Sequence, residues 1–200
     1  DYQPACYIYT ASGVTHGVVD MMQAISVSCN YYFYEVGRRT GIDAIDQTAK
    51  QLGLGEDTGV EIANADGYRA NPETKEKLYA NDPDQSGWYG ADTLMASIGQ
   101  SENKFTPLQM CVYTTALANK GTRYEAHFLK KIISGDYQTL LEEKTPKVAS
   151  TLDMSQDAID CVFTGMRLCA TEGTAKNIFG NYDVAVCCKT GTAQHGAEGS

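Results

Sequence analysis

Ala185-Val186-Cys187-Cys188-Lys189-Thr190-Gly191-Thr192-Ala193-Gln194 is the stretch on which the reading of this chain turns. With Val184, its first residues make an apolar run that predicts a short buried strand. The run ends in a lysine, two threonines and a glycine, an unusual finish for a core strand. One reading is a strand edge that binds an anionic group. Lys189 brings positive charge, Thr190 and Thr192 bring hydroxyl donors, and Gly191 lets a ligand approach the backbone. Such an edge also accepts an extended peptide as an added strand. The other reading is an ordinary strand closing in a polar turn. Lys-Thr-Gly alone does not separate the two, so a partner elsewhere in the chain has to decide.

Composition narrows the classes first. The 200 residues are 42% hydrophobic, 20% charged and 10% aromatic, mostly tyrosine, which predicts one soluble globular domain or most of one. The net charge of −9, with no basic cluster, argues against nucleic acid as a partner. No apolar run is long enough to span a membrane, and no signal segment is visible. Asp1 is not an initiator residue, so an excised piece of a longer protein is expected. The 7 cysteines show no Cys-x-x-Cys pair, and His16, His127 and His195 are scattered, so no metal site is expected. No disulfide framework is expected either, and Cys111 and Cys161 read as buried thiols in helical patterns.

Helical periodicity predicts a helix over His16–Ser26 capped by Thr15, a second over Tyr31–Thr40 ending at Gly41, and a third from Asp43 to Leu52. A short extended piece is expected at Val60-Glu61-Ile62 and a long polar surface loop over 64–89, closed by Trp88. Thr106-Pro107 predicts an N-cap followed by proline at the first helical position, opening a helix that ends near Asn119-Lys120-Gly121. Tyr124–Ser134 and Tyr137–Lys144 read as two strands around Gly135-Asp136. Ser155 caps a predicted helix to Cys169, and 173–180 reads as loop.

The partner for Lys-Thr-Gly is Ser28-Cys29-Asn30, a hydroxyl and a carboxamide one residue apart between two predicted helices. Alone it reads more readily as a capping turn. The pair Ser-x-Asn and Lys-Thr-Gly resembles the penicillin-binding-protein and serine β-lactamase superfamily. Thr15-His16-Gly17, Ser28-Cys29-Asn30-Tyr31-Tyr32-Phe33-Tyr34, Leu52-Gly53-Leu54-Gly55 and Thr58-Gly59-Val60 resemble the transpeptidase domain of class B penicillin-binding proteins. So do Ser97-Ile98-Gly99-Gln100, Thr106-Pro107-Leu108-Gln109-Met110 and Ala116-Leu117-Ala118-Asn119-Lys120-Gly121.

The resemblance implies an α/β fold, a helical subdomain packed against an antiparallel sheet, with residues 1–200 forming part of that domain. It implies a peptidoglycan D,D-transpeptidase acting through an acyl-serine intermediate on stem peptides, trapped by β-lactam antibiotics and using no cofactor. Carried over, Ser28 relays protons, Asn30 hydrogen-bonds the donor peptide, and Lys189 tunes Ser28 electrostatically. Thr190, Gly191, Thr192 and Gln194 bind substrate, with the Thr192 N–H as half of an oxyanion hole. The parent is expected at the extracytoplasmic face of the bacterial membrane, held by an anchor outside these residues, with division or elongation proteins as partners.

The family's Ser-x-x-Lys nucleophile is expected several dozen residues before Ser-x-Asn, yet only 27 residues precede Ser28 and none supplies it. Ser101-Glu102-Asn103-Lys104 is the one match to the pattern. It falls after Ser-x-Asn in loop chemistry, whereas a nucleophile and its lysine should share a helical turn. The family's sheet also continues past Lys-Thr-Gly. An internal piece, unable to acylate by itself, is therefore expected. A β-lactam hydrolase or sensor shares the motifs, and a non-catalytic scaffold would lack Ser-x-x-Lys in the whole protein as well.

Overall fold

Asp20, not Thr15, starts the helix that leads to Ser28. Its carboxylate accepts from the Gln23 N–H at 2.8 Å while the Gln23 side chain accepts from the Asp20 N–H at 3.0 Å, a reciprocal cap. Thr15 instead caps a tight turn at Gly17, whose φ of +67° ends any helix there. The computed structural model describes residues 3–192. In chain order the elements are α1 (Tyr7–Ser12), α2 (Met21–Ser26), α3 (Asn30–Thr40), α4 (Ile42–Gln51), α5 (Pro72–Leu78), α6 (Pro83–Ser86), α7 (Gly90–Ala96) and α8 (Pro107–Ala118). Then follow β1 (Thr122–Tyr124), β2 (Lys131–Ile133), β3 (Leu140–Glu143), β4 (Val148–Thr151), α9 (Gln156–Thr171) and α10 (Lys176–Phe179). Contacts divide them into two units, one from residues 3–42, 87–101 and 155–192, the other from 43–86 and 102–154.

The first unit is helical. Its crossings are close because small residues sit where helices meet. A side chain on Gly165 of α9 would come within 2.8 Å of Ile25 on α2, and one on Gly37 of α3 would collide with Ser97 beyond α7. The Ser97 hydroxyl uses that proximity to donate to the Phe33 carbonyl at 3.0 Å. Cys6, Ala24 and Cys29 form a buried core with Ile8, Val19, Val27, Tyr32 and Phe33 around it.

The second unit mixes helices with two small antiparallel sheets. Strand β1 pairs with β4 and β2 with β3, the latter in the hairpin expected around Gly135-Asp136. Helix α8 begins as its Thr106-Pro107 signature requires, with Thr106 and Gln109 capping one another. Gln109 is fully buried, and its amide donates to the Glu56 carbonyl at 2.8 Å and the Asp66 carbonyl at 2.5 Å, tying two loops to the helix. Arg69 holds a second junction through Asp46 at 2.8 Å, Glu56 at 2.6 Å and the Leu54 carbonyl at 2.8 Å.

Five further expectations are corrected. Residues 64–89 are not a plain loop but carry α5 and α6, because Asn71 caps and Pro72 occupies the first helical position. Val60-Glu61-Ile62 is not a strand, and α10 lies in the predicted 173–180 loop. Cys111 is exposed rather than buried. Val184–Cys188 forms no ladder with any described strand: Val184 is 65% exposed, and the segment bonds to α9 instead. Arg167 donates to the Val186 carbonyl at 3.0 Å and the Cys188 N–H to the Met166 carbonyl at 3.1 Å.

Candidate active site

Helix α9 carries the site. One part of it packs on α2, and residues 184–190 run back along it until Lys189 reaches the turn after α2. That turn is sharp. The Ser28 N–H donates to the Ile25 carbonyl at 3.3 Å and the Cys29 N–H to the Ala24 carbonyl at 2.9 Å, which throws the chain over into α3. Ser28 adopts φ +55°, a left-handed conformation that costs a serine on the order of 1–2 kcal/mol and that clusters at functional positions.

The Lys189 ammonium donates to Ser28 Oγ at 2.8 Å and to the Thr190 carbonyl at 2.8 Å, closing a contact between residues 161 positions apart. Burial pushes the Lys189 pKa below the ordinary lysine range, partly offset by the neighbouring Cys169 and Cys188 thiols. The predicted Ser28 and Lys189 thus meet. Thr190 bonds through its hydroxyl to the Thr174 hydroxyl at 2.8 Å. The Thr192 carbonyl accepts from Gln100 at 3.0 Å. Gly191 is exposed, with open space where a side chain would be. Asn30 opens α3, half-buried, and no hydrogen bond joins it to Ser28 or Lys189 among the described residues. Gln194 lies outside the described residues. Ser101-Glu102-Asn103-Lys104 is turn followed by a bridge to Tyr68, not a helical turn.

Residues 173–180, read from the sequence only as loop, have a part in the site. Thr174 donates its N–H to the Ser26 carbonyl at 3.2 Å and bonds Thr190 by its hydroxyl, so one residue links the Ser-x-Asn turn to Lys-Thr-Gly. Gly173 makes this approach feasible, since any side chain there would collide with the Ser26 carbonyl. The Gly-Thr pair directly after a predicted helix was the available signal. Behind Thr174, buried Cys169 completes a chain with its sulfur 3.2 Å from the Thr174 hydroxyl.

Metal-type donors do converge, contrary to the reading from spacing alone. Cys6, His16 and Cys29 bring two thiols and an imidazole within 4.8 Å of one another, a donor set of the kind soft divalent cations take. Their neighbours are α1, the 13–20 turn and the α3 cap, three places that sequence spacing does not connect. Burial raises the Cys29 pKa, away from nucleophilic character.

Chemically, the arrangement offers a hydroxyl polarised by an ammonium, flanked by two threonines and an exposed glycine. Residues 4–200 match the penicillin binding protein transpeptidase domain. The peptidoglycan D,D-transpeptidase MrdA of Haemophilus influenzae is 32% identical over 186 residues, which cover 90% of this chain and 27% of that protein. Its counterpart in Acinetobacter baumannii is 37% identical over 116 residues, covering 58% of this chain and 16% of that protein. The chain thus spans about a quarter or less of the length of these curated relatives. The solved complex between the penicillin-binding protein PBP2 and MreC from Helicobacter pylori aligns at a TM-score of 0.71 and 29% identity, over 90% of this chain and 31% of that one.

Proposed function

The chain belongs to the penicillin-binding-protein transpeptidase family, and from that premise we propose that its residues form part of one transpeptidase domain in a peptidoglycan D,D-transpeptidase. The observation that carries the reading is the 2.8 Å contact between Lys189 and Ser28. An ammonium on Ser28 Oγ orients that hydroxyl so that its own proton points away, toward a reacting group. Ser28 then passes a proton between nucleophile and leaving amine while Lys189 holds the charge balance. Thr190 and Thr192 present donors to the terminal carboxylate of a stem peptide, and the Thr192 N–H faces the developing oxyanion. Asn30 grips the donor peptide's amide. The acylated serine comes from a Ser-x-x-Lys helix outside these residues, so the chain alone does not acylate. β-Lactams enter the same cycle as mimics of the donor peptide.

The reaction belongs outside the cytoplasmic membrane, where the wall is built. Among the described residues no helix is long and apolar enough to cross a membrane. The named MreC partner of the aligned Helicobacter pylori protein supports elongation proteins as partners here.

A fluorescent penicillin with intact-mass detection tests the reading. The intact protein should gain one adduct and these 200 residues none, while Ser28→Ala and Lys189→Ala should slow acylation by on the order of 100-fold or more. An intact protein that gains no adduct would refute the proposal in favour of a wall-binding scaffold, and an adduct on these residues alone would overturn the missing nucleophile.

A further inference from the structure

A threonine hydroxyl turns about its Cα–Cβ and C–O bonds, so Thr190 donates to a ligand reliably only when a neighbour fixes both its rotamer and its proton. That neighbour is Thr174, whose Oγ1 lies 2.8 Å from Thr190 Oγ1. The Thr174 backbone is pinned on every side. Before it, the Gly173 N–H donates to the Leu168 carbonyl at 2.8 Å, and after it, the Ala175 N–H donates to the Cys169 carbonyl at 3.0 Å. The last turn of α9 thus grips the loop, and Ala175 is buried under it. The Thr174 N–H itself donates to the Ser26 carbonyl at 3.2 Å. Thr174 and Thr190 are nonetheless both exposed, so the rigid pair faces space that a ligand can enter. Behind Thr174 Oγ1, at 3.2 Å, lies the sulfur of wholly buried Cys169.

We propose that Thr174 is a positioning residue that aims the Thr190 hydroxyl proton at the carboxylate of the ligand, so that the site favours carboxylates over neutral ligands. Thiol, hydroxyl and hydroxyl stand in a row, and each hydroxyl has one proton to give and two lone pairs to receive. When the Cys169 thiol donates to Thr174 and Thr174 donates to Thr190, the Thr190 proton is left over and points outward. The opposite order spends the Thr190 proton on Thr174 and leaves only a lone pair for the ligand. A carboxylate selects the first order, and each bond in such a row polarises the next. Lys189 does not compete for this hydroxyl, because its ammonium is engaged by Ser28 Oγ and the Thr190 carbonyl. Thr174 touches no reacting atom and acts only through Thr190.

The proposal rests on the transpeptidase reading, and the test keeps the two apart. The intact protein is acylated with benzylpenicillin and with its methyl ester, which lacks the carboxylate. Intact-mass time courses over a range of concentrations separate the half-saturating concentration from the limiting rate. Thr174→Val keeps the shape and the backbone bonds but loses the hydroxyl. It should raise the half-saturating concentration for benzylpenicillin on the order of tenfold, leaving the limiting rate, and the rate with the ester, within about twofold. Thr174→Ala, which also lacks the hydroxyl, should repeat both results, and Thr174→Ser should restore benzylpenicillin. A variant that folds poorly lowers the adduct amplitude with both ligands and leaves the half-saturating concentration where it was. An equal loss with acid and ester would overturn the proposal, since a displaced loop weakens both. So would a Thr174→Val protein that matches the unaltered one, or a Thr174→Ser protein as impaired as Thr174→Val. No acylation of the unaltered protein by either ligand refutes the transpeptidase reading, and this inference with it.

Discussion

Replacing Gly173 by alanine should damage this chain more than its one added methyl suggests. The new Cβ would overlap the Ser26 carbonyl oxygen and lie 2.5 Å from Ser26 Oγ and 2.8 Å from the carbonyl carbon. The hydroxyl can rotate, but the carbonyl is backbone at the end of α2 and cannot yield without moving that helix end. Forced overpacking of this kind costs about 1–3 kcal/mol. The loop must also give up the 3.2 Å bond from the Thr174 N–H to the Ser26 carbonyl, a further loss of about 1 kcal/mol. A total near ~3 kcal/mol lowers Tm by roughly 6–12 °C in a domain of this size. Gly173 has no left-handed φ, so the effect would be steric alone. Differential scanning calorimetry reads it directly, with Gly135→Ala, where an added Cβ meets nothing within 4 Å, as the control. If Gly173→Ala melts with the control, the close approach does not constrain the loop and the reasoning fails. Penicillin acylation of the intact protein should fall with it, because Thr174 carries the Thr190 hydroxyl.

Other perturbations separate the remaining elements. Gln109→Ala should cost about 2–4 kcal/mol, since it strips the Glu56 and Asp66 carbonyls of a buried donor; an unchanged melting curve would show that water replaces the amide. Thr58→Val should stabilise by about 1 kcal/mol, because the Thr58 hydroxyl is buried without a partner among the described residues, and a lower Tm would point to a partner outside them. Lys189 titrates below the ordinary lysine range because burial disfavours its charge, so two consequences follow as pH rises through that folded-state value toward the unfolded one. Stability increases there, since the unfolded chain binds the proton more tightly, whereas acylation declines as the ammonium on Ser28 is lost. Lys189→Arg stays charged and should shift the alkaline decline upward; an unmoved profile would remove Lys189 as its source.

What sequence disclosed depended on how local the physics was. Thr106-Pro107 and Ser155 announced α8 and α9 because caps act within four residues. Asn71-Pro72 uses the same chemistry as Thr106-Pro107, yet polar neighbours made it look like loop. The strand expected at Val184–Cys188 failed because a strand needs a partner, and its apolar run lies on α9 instead. Ser28 and Lys189 were found as motif residues, but Thr174 was not, since its role depends on a glycine approaching a backbone 147 residues away in sequence. The Cys6, His16 and Cys29 cluster was hidden for a related reason: donor spacing along a chain reveals a metal-type site only when the ligands share a local loop. Gln109, quoted only as part of a family motif, proved to be the most deeply buried polar anchor of its unit.

The way the helical unit is threaded also sets a timetable for its folding. Helix α2 finds its main neighbour in α9, about 130 residues further along. A chain emerging from a ribosome or a translocation channel thus exposes the Ser-x-Asn turn long before anything can close over it. The intervening residues contain a second unit able to gather from its own shorter-range pairings, such as α8 with β1 and β2 with β3. That order keeps the first helices waiting as loosely structured apolar segments, a stage at which chaperones and proteases compete for them. Mutations that speed the pairing of α2 with α9, rather than those that deepen either core, should raise the yield of folded protein in a cell.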